Sequence, residues 1–85
     1  MQIEKRRLKC RVLKGMFSSE RAVVVSLPNG RKSSAFVPSS EVRGDLNCDG
    51  DVCVDVFRDG GVVWAVLPTD YRETVPVQEN DLVSP

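Results

Sequence analysis

The 85-residue chain contains no histidine. That removes the usual general base, and the usual partner of a serine or cysteine nucleophile. It also leaves Cys10, Cys48 and Cys53 short of a structural zinc set, whose fourth ligand would have to be a carboxylate. Three cysteines without a recognisable spacing point to free thiols in a reducing compartment rather than to a disulfide framework. No apolar run approaches the ~18 residues that cross a bilayer. The charged start Glu4-Lys5-Arg6-Arg7 lacks the apolar stretch of a signal peptide. A cytoplasmic, soluble chain with no membrane partner is the expectation. Gly60-Gly61 is too short for a phosphate loop, and no helical pattern follows it. Nothing marks a small-molecule substrate or a cofactor, so a non-enzymatic role is expected. Aromatics are few: Phe17, Phe36, Phe57, Trp64 and Tyr71.

What is present is valine in alternation. Apolar residues make up 41% of the chain, which excludes a disordered polymer, and the length suits one domain over residues 1–85. The organising stretch is Asp51–Leu67. Val52, Val54 and Val56 alternate with Cys53, Asp55 and Phe57, the period of a strand with one buried face. Asp59-Gly60-Gly61 is hairpin chemistry, because glycine accepts positive φ without a Cβ clash. Val62–Leu67 is nearly continuous in apolar residues and reads as a central strand covered on both faces, with Trp64 read first as core packing and second as a binding platform. Pro68 ends it.

The remainder follows the same rules. Arg6–Leu13 places Leu8, Cys10 and Val12 on an inner face, with Arg7, Lys9 and Arg11 outside. Ala22–Leu27 and Lys32–Val37 are two further strands, joined by the turn Pro28-Asn29-Gly30. Ser39–Val42 and Gln78–Val83 read as short 3₁₀ turns. Thr74–Val77 is a short strand, which Pro76 assigns to a sheet edge. A faint echo links the halves: each has a strand ending in Leu-Pro (Leu27-Pro28, Leu67-Pro68), then a short strand ending in Val-Pro (Val37-Pro38, Val75-Pro76). An old duplication and two hairpins under the same turn rules both account for it.

Net charge is zero but unevenly spread. Residues 1–43 carry ten Lys/Arg and three acids; residues 44–85 carry two and nine. Such asymmetry marks either a nucleic-acid surface or a dipolar, self-associating molecule, unless the halves interleave and the charges alternate in space. The cations Lys5, Arg7, Lys9 and Arg11, with Phe17 as the aromatic least needed by a core, are the candidate binding residues.

One local motif, Asp45-Leu46-Asn47-Cys48-Asp49-Gly50-Asp51-Val52, resembles the calcium loop of EF-hand and dockerin modules, with oxygen ligands at alternate positions before a glycine. Val56 stands where that loop carries its last acid, and a strand follows in place of a helix. The stretch therefore reads first as an Asp/Asn/Gly turn, and no metal is assigned. At the level of fold, Gly15, Gly30, Phe36–Val42 and Gly50-Asp51-Val52 resemble the S1 type of OB barrel, while Val75-Pro76 to Leu82-Val83 resembles the end of an SH3-like barrel. Either resemblance implies an all-β domain, a five- or six-stranded barrel with short 3₁₀ turns. The expected function is a non-catalytic module docking a protein partner or itself. The alternative is RNA or single-stranded DNA binding by the basic first strand.

Overall fold

Where apolar side chains alternate, the chain is extended. The structure, a computed structural model describing residues 2–85, is all-β and has no α-helix among those residues. Its strands are β1 (Glu4–Lys14), β2 (Glu20–Ser26), β3 (Lys32–Pro38), β4 (Val42–Arg43), β5 (Cys48–Asp59), β6 (Val62–Val66), β7 (Thr74–Val77) and β8 (Leu82–Val83). One 3₁₀ turn (Ser39–Glu41) precedes β4 and another (Glu79–Asp81) precedes β8. All pairings are antiparallel, in the order β3-β2-β1-β5-β6-β7. β4 pairs with β5 and β8 with β1. The sheet curls into a half-barrel measuring 37 × 23 × 22 Å.

Eight strands replace the five or six expected. The two extra ones are two residues long, below the length at which alternation leaves a signal, and exist because each 3₁₀ turn delivers the chain to an unpaired stretch of ladder. β5 also begins at Cys48 rather than Asp51, because β1 is long enough to pair with it from Glu4 to Val12.

The eight strands form two units of identical order: a three-stranded meander, a 3₁₀ turn and a short closing strand. Their registers coincide. Arg11 pairs with Val24 where Asp55 pairs with Val66. Ala22 pairs with Phe36 where Trp64 pairs with Pro76. Val42 pairs with Val52 where Leu82 pairs with Leu8. Leu8 and Val52 are themselves cross-strand partners, so the twofold relation between the halves passes through that pair. Each half's closing strand pairs with the other half's first strand.

The core obeys the same symmetry. Leu8, Cys10 and Val12 match Val52, Val54 and Val56, and all six are buried. Val23 and Val25 match Ala65 and Leu67, and Val37 matches Val77. The expectation for Val62–Leu67 is corrected: only Ala65 and Leu67 are buried, and Val62 is exposed. β6 is covered on one face, because the curled sheet has a single interior. Trp64 is likewise not a core residue; it lies on the outer face, stacked on Phe57 at a centroid distance of 6.5 Å. The turn after β5 is as expected, with Gly60 and Gly61 both at positive φ (60° and 79°). β7 is an edge strand.

One close approach breaks the symmetry. Gly50 faces inward opposite Cys10, and a Cβ there would run into the Arg43 carbonyl oxygen and stand 2.8 Å from a Val12 methyl. The matching residue is Arg6, whose Nε donates to the Val83 carbonyl oxygen at 3.2 Å. Gly50→Ala should therefore cost about 1–3 kcal/mol by overpacking. Arg6→Ala, which loses one partly buried hydrogen bond and a 3.6 Å ion pair with Glu4, should cost about 1 kcal/mol or less. Urea unfolding of the two variants checks this, with equal slopes required for the comparison.

Candidate interaction surface

Successive residues of a strand face opposite sides of the sheet, so the core assignment settles which residues face outward. On the central ladder these are Lys5, Arg7, Lys9 and Arg11 from β1, and Asp49, Asp51, Cys53 and Asp55 from β5. The basic and acidic halves of the sequence thus meet on one surface. Lys5 Nζ lies 2.9 Å from Asp55, and Arg11 lies 3.6 Å from Asp49. Arg7 pairs diagonally with Asp51, and its Nη2 donates to the Glu41 carbonyl oxygen at 3.1 Å. Arg43 reaches the same Asp51 at 2.9 Å, and Arg72 reaches Asp55 at 2.6 Å.

These contacts move the carboxylates. Burial works against the charge on Asp51, but hydrogen bonds from Arg43 and Arg7 outweigh it and hold the carboxyl below its ordinary value. The Lys5 hydrogen bond, partly opposed by burial and reinforced by Arg72, does the same for Asp55. Glu4, at the rim, is lowered chiefly by a hydrogen bond from Arg58, which also binds Glu79 at 2.6 Å.

Of the candidate binding residues, Lys5, Arg7 and Arg11 are therefore brought together on one strand and engaged by carboxylates. Lys9 has no ion-pair partner among the described residues. It borders a cleft of about 690 Å³ whose lining includes Cys10, Ser26, Lys32 and Asp81. The cleft lies where β2 leaves β1, beyond Arg11, and β8 arrives at Leu8. Burial pushes the Cys10 thiol up to about 11, so it is not a ready nucleophile. Phe17 lies in the β1–β2 connection, off the ladder, and is 68% exposed.

Sequence reasoning missed the apolar outer positions. Across one half runs the row Leu13–Ala22–Phe36, and across the other Phe57–Trp64–Pro76. Phe36 is 52% exposed and Tyr71, on the β6–β7 connection, is 97% exposed. They share a cleft of about 510 Å³ with Ala35, Thr69, Asp70 and Glu73. The available signal was the inside–outside parity of Phe36 between buried Val37 and its neighbours.

The calcium-like stretch is dispersed. Asp45 lies in a turn, Asn47 adopts φ 65°, and Asp49 is extended on β5 beside Arg11. Among the described residues no three acidic or cysteine side chains are grouped to hold a metal ion. Comparison with known proteins returns no matching family model, no matching curated protein and no matching solved structure.

A carboxylate whose folded pKa is lowered stabilises the fold above its unfolded value, near ~3.9, and loses that contribution as pH falls through the folded one. The urea midpoint should hold steady above about pH 5 and drop below about pH 4. Replacing Asp51 and Asp55 by asparagine should lower the unfolding free energy at pH 7 by on the order of 1 kcal/mol per site, read as a lower urea midpoint, and flatten the acid limb.

Proposed function

We propose that the chain is a non-catalytic interaction module that docks a protein partner or a copy of itself. The observation that carries this reading is the division of the outer face. Its charged centre is internally neutralised, while Phe36 and Tyr71 stand exposed together at one side. Exposed aromatics are the side chains most enriched at the centre of protein interfaces.

The finer fold reading we favour is SH3-like. Each half, taken with the first strand of the other, has the order β4-β5-β1-β2-β3 or β8-β1-β5-β6-β7, with a 3₁₀ turn before the short closing strand. That is closer to an SH3-like meander than to an OB barrel, which places a helix inside its strand series. Three unpaired thiols are in keeping with a reducing, cytoplasmic setting.

The second reading, RNA or single-stranded DNA binding, rests on Lys9 and Lys32, which share a cleft and make no ion pair among the described residues. It carries less, because a polyanion would have to displace Asp55, Asp51 and Asp49 from Lys5, Arg7 and Arg11.

A photo-crosslinking residue at Tyr71, with the exposed turn residue Asn29 as control, tests docking in cells that make the protein. Protease-sensitive adducts from Tyr71 and none from Asn29 are expected. Nuclease-sensitive adducts from a crosslinker at Lys9 would favour the second reading, and absence of any adduct from Phe17, Phe36 and Tyr71 would overturn docking.

A further inference from the structure

The two outer edges of the sheet, β3 and β7, are related by the internal twofold but differ in chemistry. Hydrogen bonds in an antiparallel ladder alternate, so every second residue turns its N–H and C=O away from its partner strand. The bonds from Leu27 N–H to the Arg31 carbonyl and from Ser39 N–H to the Ser19 carbonyl, both 2.8 Å, fix the phase on β3. Ser33, Ala35 and Val37 face β2; Lys32, Ser34 and Phe36 present their backbone groups outward. On β7, the bond from Leu67 N–H to the Glu73 carbonyl sets the phase, so Thr74 and Pro76 face outward. Pro76 has no N–H to offer, and β7 is four residues long, both of which blunt an edge. Its counterpart Phe36 leaves the β3 edge open from Lys32 to Val37, and a proline stands on the outward phase only at the strand's last residue, Pro38. Among the described residues, no strand pairs with that edge.

The ends of β3 carry opposite charge. Arg31 and Lys32 stand at its start. Asp70 and Glu73 line the cleft beside Phe36, near its other end. None of the four takes part in an ion pair among the described residues.

We infer that β3 is a self-association edge, pairing antiparallel with β3 of a second copy about a twofold axis at Ser34. This rests on the docking reading and names its partner. In that register Lys32 lies opposite Phe36 of the other copy, so each basic end meets the acidic cleft of its mate. Ser34, at the axis, is small enough for two copies to approach. The pairing is isologous and uses the β3 edge of each copy, leaving only the short, Pro76-bearing β7 edges, so it closes as a dimer rather than growing into a fibre.

The test is sedimentation equilibrium of the purified chain, from micromolar to submillimolar concentration. A monomer–dimer equilibrium that weakens with salt is expected. Ser34→Pro removes an outward N–H without touching the β2 ladder, and should weaken association at least about tenfold while far-UV circular dichroism stays unchanged. Lys32→Glu should weaken it by about tenfold, and Lys32→Glu with Glu73→Lys should restore it. A wild-type monomer throughout, or a dimer indifferent to Ser34→Pro, overturns the inference. If Ser34→Pro fails to fold, concentration-dependent protection of the Ser34 and Phe36 amides from hydrogen exchange decides in its place. A monomer whose Tyr71 crosslinks to a different protein would end self-association and leave docking standing.

Discussion

The ladder between β1 and β5 is the constraint on which the rest depends. It runs in unbroken register from Glu4·Val56 to Val12·Cys48 and places the Leu8·Val52 pair at its centre. Every other strand pairs directly with one of these two or with a strand that does. Both strands are long because each must serve three neighbours: the other, its own hairpin partner, and the closing strand of the opposite half. The interior is correspondingly narrow, and its buried side chains are mostly valine, whose branched Cβ fits a curled, half-covered sheet. No aromatic is among them. A small core without large rings leaves all five aromatics for the partly covered or outer positions, and that decides the character of the surface.

The same ladder explains the charge pattern. The first forty-odd residues are basic and the rest acidic, which in sequence reads as a dipole. Antiparallel pairing about an internal twofold brings each outward-facing basic residue of the β1–β5 ladder opposite or diagonal to an acid of β5. Lys5·Asp55, Arg7·Asp51 and Arg11·Asp49 are the result. Individually such surface pairs contribute little. Together they neutralise the outer face of the ladder, and Arg43, held opposite Asp51 by the β4–β5 register, adds a second cation to that carboxylate.

Much of this was legible from alternation alone. Leu8, Cys10, Val12, Val52, Val54 and Val56 were assignable to one interior because a period of two is unambiguous over such stretches. Both 3₁₀ turns and the edge position of Thr74–Val77 followed from serine, proline and polar spacing. Val62–Leu67 misled because a run without polar interruption looks the same whether one face or both are covered. Trp64 misled for a related reason: hydrophobicity predicts contact with something, and here that something is Phe57 on the outside. The internal echo was half visible. Leu27-Pro28 and Leu67-Pro68 do recur in role, since Pro28 lines a groove along β6 and β7 while Pro68 lines its counterpart along β3. Register, however, equates Val25 with Leu67 and Val37 with Val77. The offset arises from connections of unequal length, which no pattern inside the strands records. The Phe36–Tyr71 cleft was invisible because it joins β3 to a connection more than thirty residues later.

The exchange of closing strands has a consequence for biosynthesis. β1 leaves the ribosome well before β8, and its Arg6 and Arg7 wait for Val83, which Arg6 contacts across 77 residues. At a synthesis rate of ~5–20 residues per second, that wait is on the order of 4–15 s. Loop closure over such a span is also entropically slow. During that interval the nascent first half holds a complete meander with an unfilled slot beside Arg7 and Leu8. Closure of the sheet on β1 is therefore the last pairing that synthesis permits.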